Sequence, residues 1–138
     1  MYRTLLKREE SYAVHALINI AEHPGTNAAQ IATDLKMPPA FMAKVLRKLV
    51  AANFIDSKMG RGGGVFLKID PKATSLLDIV EAISGTVILD TCQTQQHCAT
   101  QLRQGHCRLK LAWLGASQAI RTVLSGVMLA QIYDEPVT

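Results

Sequence analysis

Apolar residues recur at three- and four-residue spacings near the amino terminus, and this pattern predicts an amphipathic first helix. The stripe consists of Val14, Leu17, Ile18 and Ala21. Because serine is a favoured helix cap, we expect the helix to begin at Ser11. The stretch His23-Pro24-Gly25 should end it, since proline lacks a backbone donor and glycine favours the turn that follows a helix.

Two shorter helical patterns follow the first one. The second helix starts at Thr26 or Asn27 and places Ile31 and Leu35 on one side, and a Met-Pro-Pro break at 37–39 ends it. The third helix has an apolar stripe of Met42, Val45, Leu46 and Leu49, while a separate face carries Lys44, Arg47, Lys48 and Ala51. This helix should pack against a core on one side and present positive charge on the other.

An extended hairpin is indicated after these helices. Phe54 and Ile55 open an extended stretch, residues 60–64 supply a glycine-rich turn, and residues 65–69 continue with β-branched and aromatic side chains. Pro71 ends the second strand. The pattern predicts a two-stranded wing beside the helices.

A short fourth helix is expected next, because Ser75 and Asp78 have the spacing of a capping box, and Gly85 should end this helix. The following cysteine segment, residues 90–107, has no apolar periodicity. We therefore predict that the cysteine segment is a loop.

The carboxy-terminal part has the strongest helical pattern of the chain. Its apolar positions alternate in spacing between four and three and comprise Leu109, Trp113, Ala116, Ile120, Val123, Val127 and Ala130. A helix from Leu109 to Tyr133 would be about 37 Å long at 1.5 Å per residue. Because a domain this small cannot cover the whole stripe, we expect the helix to pair with its copy in a homodimer.

Together these elements predict a mainly α protein, a winged helix-turn-helix with a small two-stranded wing and a long C-terminal dimerisation helix. A chain of 138 residues is too short for two independent globular units. We divide it into a winged helix-turn-helix domain at 1–85, a cysteine-containing loop at 86–108 and a dimerisation helix with its tail at 109–138.

Composition narrows the location of the protein. Hydrophobic residues make up 49% of the chain, yet no run approaches the roughly eighteen apolar residues of a membrane span. Residues 1–10 carry charges of both signs and lack the apolar centre of a signal peptide. We therefore expect a cytoplasmic protein with no membrane partner.

A net charge of +4 and a pI near 9.1 favour a polyanionic partner. A helix-turn-helix places its second helix in the major groove of double-stranded DNA, and a basic, glycine-rich wing tip can reach the adjacent minor groove. The candidate DNA contacts are therefore positions on the third helix and on the wing. They are Ala40, Phe41, Lys44, Arg47, Lys48, Ser57, Lys58, Arg61, Gly62 and Gly63.

Several motifs resemble one known family. They are Ser11-Tyr12-Ala13-Val14, Ile31-Ala32, Leu46-Arg47-Lys48-Leu49, Leu76-Leu77-Asp78-Ile79-Val80 and the wing run Ser57-Lys58-Met59-Gly60-Arg61-Gly62-Gly63-Gly64. In these motifs the chain resembles the iron-sulfur-sensing winged-helix regulators of the IscR, NsrR and RirA group. The resemblance implies a bacterial homodimeric transcription regulator, acting as a repressor, that binds a palindromic operator.

The wing departs from that group at two positions. Such regulators usually carry arginine or lysine immediately before the first wing glycine, where this chain has Met59, and an aromatic residue after the last one, where it has Val65. We expect Arg61 to take over the minor-groove contact. The consequence would be an altered operator preference rather than lost binding.

The three cysteines, Cys92, Cys98 and Cys107, lie within sixteen residues of one another. Three thiols cannot all pair within one chain, and a reducing cytoplasm disfavours structural disulfides, so metal ligation or redox chemistry is the interpretation of interest. Thiolates suit iron-sulfur clusters, zinc and copper(I). Structural zinc sites commonly begin with two cysteines that are separated by roughly two to four residues. The Cys-x5-Cys-x8-Cys spacing of this chain is wider. The residues alone leave the metal open, together with three ordinary buried thiols.

The resemblance implies an iron-sulfur cluster, 2Fe-2S rather than 4Fe-4S, held by Cys92, Cys98 and Cys107. The gap before Cys107 is longer than is usual in the group. The candidates for the fourth ligand are His15, His97, His106 and Glu10. In some relatives this ligand comes from the first helix of the partner chain, and we therefore favour His15, whose alternative role is that of a histidine at a helix interface.

Other functions remain possible at this point. A clusterless thiol switch would still regulate transcription through oxidation or modification of cysteines. A small redox enzyme or cluster carrier is disfavoured by the organised helix-turn-helix, and the chain lacks a glycine-rich nucleotide loop. A module that binds an acidic protein partner through its basic face is a further alternative. We expect a regulator, not an enzyme, in which the cluster loop sets the placement of two recognition helices.

Overall fold

The computed structural model describes residues 1–94, 98–104 and 107–134. Its helices are α1 (Arg8–Glu22), α2 (Ala28–Asp34), α3 (Pro39–Ala51), α4 (Leu76–Ser84), α5 (Ala99–Gln104) and α6 (Arg108–Ser125), with single 3-10 turns at Thr91–Gln93 and Leu129–Gln131. Strands β1 (Ile55–Lys58) and β2 (Gly64–Leu67) form an antiparallel pair. The predicted mainly helical fold with a two-stranded wing is confirmed.

Helix α1 begins earlier than the sequence pattern predicted, at Arg8 instead of Ser11. The Lys7 backbone N–H donates to Glu10 Oε2 at 3.0 Å, so a glutamate in the first turn stabilises the helix start without a serine cap. Acidic side chains at the start of a helix also interact favourably with its dipole. The predicted stop is confirmed, because the helix ends at Glu22.

The first three helices enclose the core. Leu17, Ile31, Met42 and Leu49 are fully buried there, as the apolar stripes predicted, and Ile20, which the predicted stripe of α1 did not include, is buried with them. The break between α2 and α3 is tight, with Lys36 in the left-handed region and the Met37 N–H donating to Ala32 O at 2.9 Å. This turn fixes α3 across α2 in the helix-turn-helix arrangement.

The wing is tied to the helices by its second strand. Lys58 pairs with Gly64 and Ile55 with Leu67 across the hairpin. On the other edge, the Val65 N–H donates to Thr26 O at 2.7 Å, in the loop that follows α1. A side chain at Gly64, which has φ +132°, would place its Cβ 2.1 Å from Gly25 O, so this close approach requires glycine.

Helix α4 follows the predicted capping box. The Asp78 N–H donates to Ser75 Oγ at 3.0 Å and the Ser75 N–H donates to Asp78 Oδ2 at 2.9 Å. The helix ends at Ser84, and Gly85 adopts φ +85°. Both predicted ends are confirmed.

Helix α6 is shorter than predicted, because it ends at Ser125 and not at Tyr133. After Gly126 the chain turns back toward the start of α4, where the Leu76 N–H donates to Val127 O at 2.9 Å and the Leu129 N–H donates to Thr74 O at 2.8 Å. Leu129 is fully buried in the core. Burial of this leucine replaces the last turns of the predicted helix, so Val127 and Ala130 do not continue the seam.

The cysteine segment is more ordered than the predicted loop. A 3-10 turn at Thr91–Gln93 carries Cys92, and α5 follows Cys98 directly. The Gln101 N–H donates to Cys98 Sγ at 3.3 Å, so this cysteine caps a helix that is too short to show apolar periodicity. The prediction of a loop throughout 90–107 was wrong for these two stretches.

Candidate nucleic-acid interface and cysteine segment

The basic face of α3 lies at the surface, as its sequence pattern predicted. Ala40, Lys44 and Arg47 are exposed, and Lys48 is half-buried. The apolar side of the same helix packs into the core through Met42, Val45, Leu46 and Leu49. Helix α3 therefore has the two-sided character that a recognition helix needs.

Two of the α3 lysines share one carboxylate from α1. Lys44 Nζ lies 2.8 Å from Glu9 Oε1, and Lys48 Nζ forms an ion pair with Glu9 Oε2. Hydrogen bonds from Lys44 and Lys48 lower the pKa of Glu9 from 4.5 to about 2. Glu9 therefore stays ionised at any pH near neutrality.

Phe41 is covered by the first turns of α1. The Arg8 guanidinium carbon lies 5.2 Å from the centre of the Phe41 ring, and the Tyr12 ring meets Phe41 edge-on at 5.8 Å between centroids. Arg8 Nη2 also donates to Met37 Sδ at 3.8 Å. The start of α1 is thus fixed against the amino-terminal end of α3 by cation–π and aromatic contacts.

The wing tip is a tight glycine turn with exposed cations. Lys58, Arg61 and Gly62 are exposed, as is Ser57 on β1. Position 63 requires glycine, because a Cβ added there would lie 2.4 Å from Lys58 O. Lys58 Nζ lies 5.3 Å from the centre of the Phe66 ring, which orients this ammonium group at the base of the tip.

Helix α3 and the wing border the same groove. Its volume is about 490 Å³, and its wall includes Arg47 and Val50 from α3 and Ser57 from β1. Predicted contact residues from the two elements therefore lie side by side.

The three cysteines are half-buried, and none of them forms a disulfide. Burial raises the pKa of Cys92, and the negative charges of Asp90, Cys107 and Cys98 raise it further, while Lys110 opposes them. Cys107 Sγ accepts a hydrogen bond from the Lys110 N–H at 3.2 Å and caps the start of α6. The thiols are close enough to influence one another electrostatically.

A buried serine joins the cysteine segment to α6. Ser117 Oγ donates to Gln93 Oε1 at 3.1 Å, and the Leu89 N–H donates to both Ser117 Oγ at 3.1 Å and Gln93 Oε1 at 2.8 Å. Ser117 is only 4% exposed. The turn that carries Cys92 is thus held directly on the long helix.

A second connection joins the linker after α4 to both neighbouring helices. Glu81 of α4 forms an ion pair with Arg121 of α6, and Glu81 Oε2 also accepts the Val87 N–H at 2.8 Å. One carboxylate therefore joins the linker, α4 and α6.

The donor set of the cysteine segment suits a metal or cluster in its chemistry. Three thiols are suitable ligands for an iron-sulfur cluster, and each is partly accessible. Within residues 1–94, 98–104 and 107–134, however, no three His, Cys, Asp or Glu side chains lie close enough together to hold a metal ion. The donor chemistry fits a cluster, whereas the described arrangement leaves the ligand set incomplete.

The proposed fourth ligands are spread over the fold. His15 is exposed on α1, with its ring 5.4 Å from that of Tyr12, on the side of the helix that meets Phe41. Glu10 is buried and accepts the Lys7 N–H. His97 and His106 lie outside the described residues. No described contact joins His15 to a cysteine of the same chain.

Residues 6–135 match the Rrf2 family, which is described as "Iron-dependent Transcriptional regulator". The chain belongs to the Rrf2 family. Because this match spans nearly the whole chain, it includes the helix-turn-helix, the wing, the cysteine segment and α6. The predicted resemblance to the IscR-type regulators is confirmed at the level of this family.

Individual relatives agree with the Rrf2 assignment. The chain is 26% identical over 124 residues to the HTH-type transcriptional regulator IscR of Vibrio cholerae serotype O1, covering 88% of this chain and 70% of the relative. The T. potens IscR structure has a TM-score of 0.72 at 21% identity, over 94% of this chain and 85% of that one. The structure of the oxidized form of Staphylococcus aureus CymR has a TM-score of 0.68 at 20% identity, and the match covers 98% of this chain and 100% of that one. These likenesses establish the winged-helix fold.

The Rrf2 assignment makes this chain a transcription regulator and not an enzyme, as the sequence predicted. In the part of the chain that the structure describes, no helix is long and apolar enough to cross a membrane.

Sequence reasoning missed three residues that organise the site. Glu9 pairs with two α3 lysines, and Gln93 and Ser117 join the Cys92 turn to α6. Glu9 and Ser117 lie on helices whose apolar pattern is recognisable, but the pattern does not say which polar side chains meet across helices. Only the packing of α1 on α3 brings Glu9 to Lys44.

Proposed function

We propose that this Rrf2-family regulator is a cytoplasmic homodimer that represses transcription from a palindromic operator, and that its affinity for the operator depends on the state of Cys92, Cys98 and Cys107. The observation that carries the proposal is the groove shared by Arg47 of α3 and Ser57 of the wing. It supports simultaneous contact of helix and wing with one duplex.

In this proposal Arg47 reads the major groove and Arg61 enters the minor groove. Ala40 and Phe41 line the start of the recognition helix, Lys44 and Lys48 approach phosphates, and the wing contributes Ser57, Lys58, Gly62 and Gly63. Among the described residues, Arg47 has no ion-pair partner, so its guanidinium is available for a base edge or a phosphate.

The Arg47→Ala variant tests the DNA-binding proposal. Loss of a base-edge contact should weaken operator binding by about 1–3 kcal/mol and relax sequence preference, whereas loss of a phosphate contact should lower the salt slope by about 0.9. Fluorescence anisotropy with duplexes selected from genomic fragments measures both quantities. Lys72→Ala, which removes an exposed charge outside α3 and the wing, is the matched control. Equal binding by wild type and Arg47→Ala would contradict the assigned role.

The homodimer is supported by apolar surface on α6. Val123 is 66% exposed and Leu109 is 49% exposed in the single chain, and Ala116 and Ile120 lie between them on the predicted seam. Pairing of α6 with a second copy would cover this stripe. Binding of a palindromic operator requires such a pair, because its two half-sites lie about 34 Å apart and each takes one recognition helix.

For the sensor we favour a 2Fe-2S cluster with Cys92, Cys98 and Cys107 as ligands and His15 of a second copy as the fourth. When bound, such a cluster would supply a redox-active centre. The chain itself connects the ligand segment to the helices. Gln93 and Ser117 join the Cys92 turn to α6 by a hydrogen bond, and Glu81 of α4 accepts a hydrogen bond from the linker. The words "iron-dependent" in the family description support this proposal.

A clusterless thiol switch is the second candidate. The described residues hold no complete metal-ligand set, and one structural neighbour, Staphylococcus aureus CymR, has been solved in an oxidized form. In this version two thiols would give up two protons and two electrons to an oxidant and form a disulfide. Iron and sulfide analysis of protein purified without oxygen separates the two candidates, because only the cluster protein contains both elements.

A further inference from the structure

The first turn of α1 places one carboxylate between two cations of the recognition helix. Lys44 and Lys48 are separated by one helical turn, so their ammonium groups lie on the same face of α3. Each oxygen of Glu9 faces one of these groups, with Oε1 at 2.8 Å from Lys44 Nζ. This bidentate arrangement matches one negative charge to two positive ones.

We propose that Glu9 is an internal counter-ion that restrains the affinity of α3 for DNA phosphates and leaves Arg47 as the cation of that face with no ion-pair partner among the described residues. The inference rests on the proposed binding of α3 to DNA. It assigns to Glu9 a positioning role at the interface, because Glu9 acts through the two lysines.

Exposure of the three groups fits this role. The Lys44 side chain is 54% exposed and that of Lys48 is 39% exposed, so a phosphate can approach both, whereas Glu9 is 24% exposed behind them. An approaching phosphate therefore meets a cluster of net charge +1, from two lysines and one glutamate. Without the glutamate the same cluster would carry +2.

The position of Glu9 is fixed by its neighbours. Arg8 stacks on Phe41 of α3, and Tyr12, one turn further along α1, contacts the same ring. These contacts hold the turn that carries Glu9 against α3 independently of the ion pairs. Replacing the carboxylate should therefore change the charge of the face without moving the helix.

The electrostatic consequence is measurable through salt dependence. Each additional cation that neutralises a phosphate adds about 0.9 to the slope of log affinity against log salt concentration. For each recognition helix that contacts DNA, removal of the Glu9 charge should steepen this slope by about 0.9. The gain in affinity should then shrink about 3.5-fold between 50 and 200 mM salt for each such helix.

The test compares Glu9→Gln with Glu22→Gln in the full chain. Glu22 lies at the opposite end of α1, so both variants raise the net charge by one but only Glu9→Gln removes the carboxylate beside α3. Fluorescence anisotropy with a labelled random-sequence duplex, over a series of salt concentrations, gives affinity and slope. We expect tighter binding and a steeper slope for Glu9→Gln, wild-type values for Glu22→Gln, and near wild-type values for Glu9→Asp.

A double-mutant cycle tests whether Glu9 acts through the two lysines. In a Lys44→Gln, Lys48→Gln background the Glu9→Gln change should no longer raise affinity, because the cations that it releases are absent. Equal gains in both backgrounds, equal gains from the Glu9 and Glu22 variants, or unchanged affinity and slope for Glu9→Gln would each overturn the inference. Failure of the wild type to bind any duplex at low salt would overturn the proposed function and this inference together.

Discussion

The charge of Glu9 depends on its two lysine partners, and this dependence links the recognition helix to folding. In the folded chain hydrogen bonds from Lys44 and Lys48 lower the pKa of Glu9 from 4.5 to about 2. A carboxyl whose pKa falls on folding stabilises the folded state above its unfolded pKa and loses that contribution as pH falls through its folded pKa. The contribution of Glu9 is therefore complete above about pH 4.5 to 5 and disappears toward pH 2.

This dependence predicts that the difference in the free energy of unfolding between the wild type and Glu9→Gln changes with pH. The wild type should be the more stable protein by a constant margin above pH 5, and the margin should shrink as pH falls from about 4.5 toward 2. Urea unfolding at a series of pH values measures it, with Glu22→Gln as the control for a lost surface charge. A difference in stability that does not change with pH would show that the ion pairs with Lys44 and Lys48 do not lower the pKa of Glu9.

At the same residue scale, sequence motifs could predict contacts that are local in the chain. The Ser75 and Asp78 capping box was recognisable because both partners lie within one turn of α4. The pairing of Glu9 with Lys48 was not recognisable, since thirty-nine positions separate these residues and only helix packing joins them. The same limit applies to Ser117 and Gln93.

Helix α6 and the segment that follows it show how tertiary burial decides where an element ends. The apolar seam continues in the sequence through Val127, yet the helix ends at Ser125 and the next residues pair with the start of α4. Leu129 enters the same core as Leu17 and Ile31. Periodicity alone cannot weigh this burial against further helical turns, so the sequence located the helix but not its end.

This packing predicts that Leu129→Ala destabilises the winged-helix core. Loss of a fully buried leucine should cost about 2–5 kcal/mol, although this residue lies beyond the last helix. Chemical denaturation measures the effect, and Met59→Ala, at a side chain that is 97% exposed on the wing, should change stability by less than about 0.5 kcal/mol. Similar stability of Leu129→Ala and the wild type would contradict the assigned packing.

At the scale of the whole molecule, the turn that carries Cys92 is held on α6, the helix that we assign to the dimer interface. Through Ser117, α6 contacts the Cys92 turn and Leu89 of the linker that leaves α4, and through Arg121 it pairs with Glu81 of α4 itself. Sequence patterns predicted this order of elements and the candidate ligands. They could not predict how the elements dock, because docking depends on polar side chains that no periodicity marks.

The dimer proposal predicts that Val123→Glu yields a monomer with weak operator affinity. A charge in the α6 seam would be buried against a like charge from the second copy, at a cost that a small interface cannot offset. Light scattering coupled to size-exclusion chromatography measures the mass. Gln118→Glu adds the same charge to α6 about 140° around the helix and should leave a dimer. A dimeric Val123→Glu protein would place the interface elsewhere, and a monomeric Gln118→Glu protein would contradict the assignment of the interface to the seam.

The central claim, that the cysteine segment controls DNA binding, is tested most directly by operator affinity in two states of one preparation. Protein purified without oxygen would be assayed by anaerobic fluorescence anisotropy on a selected genomic duplex, before and after its iron is removed by a chelator. We expect a difference of at least about tenfold, which corresponds to a coupling free energy of 1.4 kcal/mol. Equal affinity in both states, with iron and sulfide present before chelation, would contradict the claim.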